Sequence, residues 1–274
     1  MCNGDFAGHS CTNVTWKPLT AADLKNGNYK TDGSVYYYLT EDVVLTASVT
    51  LSKKTLHLCL NGKTITAPSA ARCFVLSGGT LDLTDCKNTG KLVGGKAKNG
   101  GSILVQGSSG GANGTPSTLN LYDGTVVGGE ATSTHGGAIC VAGGTMNMYG
   151  GKVEGGKAKN FGGAIYVDQK QTLNLFGGSV TSGTSGGKGK CVMGGANAIM
   201  TVGGSAQIDE LYVVSVNKIS VSTDVPLTDQ ASITVYMDKL GVLAENVTVD
   251  CAKAFSAAGH TVVWNEAEKT LAVQ

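Results

Sequence analysis

The chain has 274 residues, a formal net charge of +1 and 41 glycines, about twice the usual glycine frequency. A single arginine, Arg72, stands among the lysines; nucleic acid binding draws on clustered basic residues, so this balance argues against it. No apolar run is long enough to cross a bilayer, membrane insertion is not expected, and the length suffices for one elongated all-β domain with a sizeable core.

Residues 1–34 read as an irregular N-terminal cap. Cys2, His9 and Cys11 lie close together. A structural zinc site wants four ligands and no fourth stands nearby, so a local Cys2–Cys11 disulfide or two thiols is the stronger reading. Trp16 and Leu19 are expected to cover the open end of a core. No secretory signal follows Met1. The alternatives are a cytoplasmic protein or one whose targeting segment has been removed, and the abundance of Ser, Thr, Asn and Gly favours the second, at the cell surface or outside the cell.

Residues 35–210 carry the strand signal. Tyr36-Tyr-Tyr-Leu-Thr and Val43-Val-Leu-Thr are β-rich, and Leu56-His-Leu-Cys-Leu60 alternates. That alternation points Leu56, Leu58 and Leu60 inward, with His57 and Cys59 outward. His57 reads as a solvated histidine on the outer face. Cys73 to Cys86 is an early copy of a repeat, with Asp82 in the slot of Asn120 and Leu92 in that of Val126. In this register His57 lies beside Asp82, and Cys59 is within reach of Cys86. A disulfide between them would suit an oxidising compartment, although eight cysteines leave connectivity open.

The repeat is clearest from Thr118 to Ser182. Leu119-Asn-Leu-Tyr-Asp-Gly-Thr-Val126 returns as Met146-Asn-Met-Tyr-Gly-Gly-Lys-Val153 and Leu173-Asn-Leu-Phe-Gly-Gly-Ser-Val180. Asn120, Asn147 and Asn174 recur every 27 residues. Between them sit Gly136-Gly-Ala-Ile-Cys-Val141 and Gly162-Gly-Ala-Ile-Tyr-Val167. A fixed period in this range signals a repeat architecture. Apolar residues alternate at strand period, glycine pairs mark turns, and no helical pattern intervenes. Each unit therefore reads as one coil of short strands, stacked on the next at about 4.8 Å in parallel sheets. Gly107 to Ser117 reads as an inserted loop on one edge, and Ser182 to Lys190 as a second interruption. Gly194 to Ile208 is a degenerate last copy. Residues 211–274 read as a strand-rich cap continuing the stack, with strands at Leu211, Ala231, Val247, Thr261 and Thr270, and Trp264 in its core.

The Gly-Gly-Ala-Ile-Tyr-Val and Leu-Asn-Leu-Phe-Gly-Gly-Ser-Val motifs, with Leu58-Cys-Leu-Asn-Gly-Lys-Thr-Ile65, resemble right-handed parallel β-helix repeat proteins of the pectin-lyase-like class. They are most similar to repeat domains of surface and secreted proteins of anaerobic Gram-positive gut bacteria, and more distantly to polymorphic outer-membrane-protein repeats. The resemblance covers roughly Tyr36 to Ile208. It implies a bacterial β-helix, in a class that holds polysaccharide lyases, glycoside hydrolases and adhesins; fold alone does not choose among them.

An enzyme of this class would need carboxylates, with calcium as a cofactor if it were a lyase and none otherwise. The candidates are Asp82, Asp85 and Asp123, the last two neighbours on adjacent coils. Asp85 and Asp123 occupy the turn slot of Gly150 and Gly177, where Asp is an ordinary turn residue. Glu130 shares its slot with Lys96 and Lys157, which suggests an interstrand charge pair. Carbohydrate binding would use an outward row of Asn120, Tyr122, Asn147, Tyr149, Asn174 and Phe176. Such a row also arises in stacked coils simply as a ladder. The expectation is a non-catalytic module for adhesion or glycan recognition, its partner a glycan or host surface protein. The alternatives are a polysaccharide-degrading enzyme and a structural spacer in a larger surface protein.

Overall fold

In a computed structural model the chain is described over residues 14–109, 114–214, 216–245 and 247–274. The zinc or disulfide expectation at Cys2, His9 and Cys11 falls outside them. Among the described residues the strands form sheets of 12, 15 and four strands. In the first face, Thr55–Cys59, Thr80–Thr84, Ser117–Leu121, Gly144–Met148, Thr172–Leu175 and Ile199–Val202 run parallel in that order. The second face stacks Val49–Ser52, Phe74–Ser77, Ile103–Gln106, Ile139–Val141, Ile165–Val167 and Val192–Gly194. The third stacks Val43–Val44, Thr64–Thr66, Lys91–Val93, Thr125–Val127, Lys152–Glu154 and Ser179–Thr181. Gln207–Val213 pairs with both Ser179–Thr181 and Val192–Gly194, so the second and third faces are one strongly curled sheet. The chain visits each face once per coil and returns one strand further along. This all-β arrangement of long parallel sheets is consistent with a parallel β-helix.

Alternation decides what fills the interior. Register aligns Leu56, Leu81, Leu119, Met146, Leu173 and Met200 in one column. Each is at most 2% exposed. Val126, Val153 and Val180 on the third face and Ile103, Ile139 and Ile165 on the second join the same core. Burying such side chains is worth roughly 1.5–3 kcal/mol each, and each coil supplies only a slice of the core, so every coil depends on its neighbours.

The glycine pairs serve two purposes. Gly136 (φ 68°) and Gly162 (φ 62°) adopt the left-handed turn conformation. Their partners Gly137 and Gly163 do not; a Cβ there would strike the carbonyls of Gly163 and Lys190 on the following coil. The second glycine is a packing requirement between coils.

The ends depart from expectation. The N-terminal segment is regular from Trp16: Trp16–Leu19 pairs parallel with Asp32–Leu39. Between them the helix Ala21–Asn26 has a Thr20–Asp23 capping box and ends on left-handed Gly27. Leu19 and Leu24 are buried at this end of the core. The segment 182–190 is a continuation rather than an interruption, because Thr184–Ser185 extends a small sheet of Lys96–Ala97, Glu130–Ala131 and Lys157–Ala158. Beyond residue 211 parallel stacking persists through Ile219–Val221, Ser232–Met237 and Phe255–Ala257. Gly241–Glu245 still pairs parallel with Ile219–Val221, and the last two strands, Thr270–Val273 and Val262–Asn265, are added antiparallel. The strand expected at Val247 gives way to a short helix, Val249–Ala252, because Thr248 caps it by accepting from Cys251 N.

Candidate functional site

One outward column of the first face runs from Tyr36 through His57, Asp82, Asn120 and Asn147 to Asn174. His57 is not a solvated histidine. Its side chain is 11% exposed, its ring stacks on Tyr36 at 4.1 Å, and Nδ1 lies 2.5 Å from Asp82 Oδ2. Its Nε2 faces the Gly33 carbonyl at 3.1 Å. From Asp82 the column continues as a chain of amides: Asn120 Nδ2 donates to Asp82 Oδ1 (2.6 Å), Asn147 to Asn120 Oδ1 (2.8 Å) and Asn174 to Asn147 Oδ1 (2.8 Å). The direction follows from the acid. An ionised carboxylate only accepts, so Asn120 must present its NH2 to it and its oxygen to Asn147.

The aromatic row runs alongside. Tyr122 and Tyr149 stack at 5.0 Å with planes 9° apart, and Phe176 continues at 5.7 Å with a 38° tilt. All three are half-buried. Burial, and then the charge of Asp82, raises the Tyr149 hydroxyl above its ordinary range. The sequence-predicted row is thus brought together as two parallel ladders. The amides bond one another and the Tyr122 and Tyr149 rings lie face to face, so ring edges and the outer rims of the amides face outward.

Of the carboxylates named for catalysis, Asp85 and Asp123 serve the backbone. Asp85 is 1% exposed and accepts from Gly62 N (2.6 Å), Thr89 N (2.8 Å) and Gly90 N (2.6 Å). Asp123 accepts from Gly124 N at 2.6 Å. Burial first, and the nearby charge of Asp85, raise its carboxyl above the usual range, while the Gly124 bond opposes them. Asp82 is held between His57 and Asn120. Glu130 pairs with Lys96 at 3.0 Å and with Lys157 at 3.5 Å, as its slot suggested. Cys59 is outward but buried, because the turn after Asp85 folds back over it; its sulfur is 3.5 Å from that of Cys86. Among the described residues, no group of three or more His, Cys, Asp or Glu side chains is placed to hold a metal ion.

Sequence reasoning missed a second cluster. On the second face the outward residues Leu104, Cys140, Tyr166 and Met193 are only 3–8% exposed. A column of turn residues covers them. The His135 ring lies 4.2 Å from Tyr166 and 5.2 Å from Phe161, and Lys188 Nζ sits 5.0 Å from the centre of the Tyr212 ring. Arg72 is half-buried at this edge and donates to Asn99 Oδ1 at 3.4 Å. The available signal lay in the Gly-Gly-Ala-Ile-Cys-Val and Gly-Gly-Ala-Ile-Tyr-Val refrains: their outward slots hold Cys140 and Tyr166, where a solvent-facing strand would carry polar residues.

No protein-family model matches the chain, and no significant match was found among curated proteins or solved structures.

Proposed function

We propose that this chain is a right-handed parallel β-helix of the pectin-lyase-like class, acting outside the cell or on its surface as a non-catalytic module for adhesion through glycan recognition. One observation carries the reading: an outward face on which Asn and an aromatic residue recur together on three successive coils, Asn120/Tyr122, Asn147/Tyr149 and Asn174/Phe176. A linear glycan laid along the axis meets the same pair of groups at each coil. Hydroxyls can bond the amide rims, and apolar sugar edges can pack on the ring edges. The involvement of Asp82 and Asp85 in structural hydrogen bonds supports a binding role over hydrolysis or lyase chemistry. A glycan array with the wild-type protein and the Tyr122→Ala/Tyr149→Ala double variant tests the reading. The expected result is selective wild-type binding that the folded variant loses; retention by the variant removes this row.

A structural spacer is the second reading. It is favoured by the 2.8 Å bonds between successive amides, which satisfy these side chains without a ligand. A wild-type protein that binds nothing on the array supports it.

A further inference from the structure

The edge of the second face holds a cation with no carboxylate within 4 Å among the described residues. Arg72 is the chain's one arginine. Its guanidinium carries five donors in a planar fork suited to an oxyanion. Yet its polar side-chain contact is a neutral amide oxygen, Asn99 Oδ1. No carboxylate lies within 4 Å of it among the described residues. Burial lowers the Arg72 pKa from its ordinary value, the direction expected of a cation that has lost solvent without gaining a counter-ion. Cys140, the neighbour whose charge would offset this, is no counter-ion: burial pushes its thiol up to about 12, leaving it neutral.

A second observation is independent of the first. Nδ1 of His135 is buried and has no hydrogen-bond partner. A buried orphan nitrogen marks a place where a polar group is missing. Burial holds the His135 pKa below its usual value, with Asp168 opposing. Asn99 and His135 stand on adjacent coils, where Gly100 N, one residue on from Asn99, donates to the His135 carbonyl at 3.2 Å. The Cys140 thiol feels the Arg72 charge, and Tyr166, the register partner of Cys140, stacks on His135. Asp168 acts on His135, Cys140 and Tyr166 but is not among the groups acting on Arg72.

We propose that Arg72, Asn99 and His135 form an oxyanion subsite that takes a carboxylate or sulfate group. The guanidinium fork would hold two oxygens, and the Asn99 amide and the His135 edge would complete the cradle. The anion is either free in solution or carried on a saccharide; the second source rests on the glycan reading above, whereas the subsite itself does not.

The test uses the full chain, with the His135 ring resonances followed by NMR at constant ionic strength. Sodium sulfate, glucuronate and glucose are the probes. Saturable shifts with sulfate and glucuronate, and none with glucose, are expected. Arg72→Gln should weaken both responses by at least about tenfold, equivalent to about 1.4 kcal/mol. Asn99→Asp supplies Arg72 with an internal carboxylate, and should abolish the response without loss of folding, checked by thermal melting. Equal responses from wild type and Asn99→Asp, or none from the wild type, would overturn the subsite. A response to sulfate with none to glucuronate keeps the subsite and removes the saccharide as carrier. Because Tyr122 and Tyr149 lie on the other face, failure of the array experiment leaves this result standing.

Discussion

At the scale of single residues, burial and hydrogen bonding separate the three acids that the sequence groups together. Asp85 and Asp123 share a turn slot on adjacent coils, but Asp85 accepts three backbone N–H groups and Asp123 accepts one. Asp123 carries the penalty of burial beside a like charge. Its pKa is raised from 3.8, so the folded state holds this proton more tightly than the unfolded state. That contribution favours the fold at low pH and is lost as pH rises through the raised value. Asp123→Asn keeps the acceptor for Gly124 N and removes the charge. The variant should be more stable than wild type at pH 7 by roughly 0.5 kcal/mol, a small figure because the site is about half exposed and solvent screens it. Urea unfolding at several pH values should show the gap closing below pH 3.8; a gap that persists there would point to packing instead.

At the scale of elements, the first-face column shows how one charge orients a ladder. Asp82 fixes Asn120, which fixes Asn147, which fixes Asn174. Asn147→Ala removes two bonds at a half-exposed position where water can replace them, so a loss of about 1 kcal/mol is expected. Asn147→Asp can still accept from Asn174, but it sets a carboxylate against Asn120 Oδ1, and Asn120 cannot turn without leaving Asp82. The acid should therefore cost more, about 2 kcal/mol or above, when both variants are unfolded in urea at pH 7. The reverse order would refute the one-way ladder.

At the scale of the whole molecule, each coil meets its neighbours through the same register, so a coil is a removable unit. Residues 145–171 span one 27-residue period, and their excision joins Gly144 to Thr172 in the slot of Thr145. The shortened chain should keep its β-rich circular dichroism and unfold cooperatively. Small-angle scattering should show it shorter by about 4.8 Å. Collapse to an unfolded or aggregated chain would show that the coils are not interchangeable.

Period and alternation were enough to place the interior. A strand's side chains alternate by geometry alone, and a 27-residue repeat with no helix leaves few ways to bury Leu119, Met146 and Leu173 except on one another. The same register placed His57 beside Asp82 and Glu130 between two lysines. The tertiary structure decided what lies outside the repeat's own rule. The stack, not local propensity, sets which outward residues are covered: Tyr36 shields His57, the turn after Asp85 covers Cys59, and His135 stacks over Tyr166. It also left Arg72 with no carboxylate within 4 Å among the described residues. Sequence order records each residue's own coil, whereas burial and charge pairing depend on which turns of other coils fold across it.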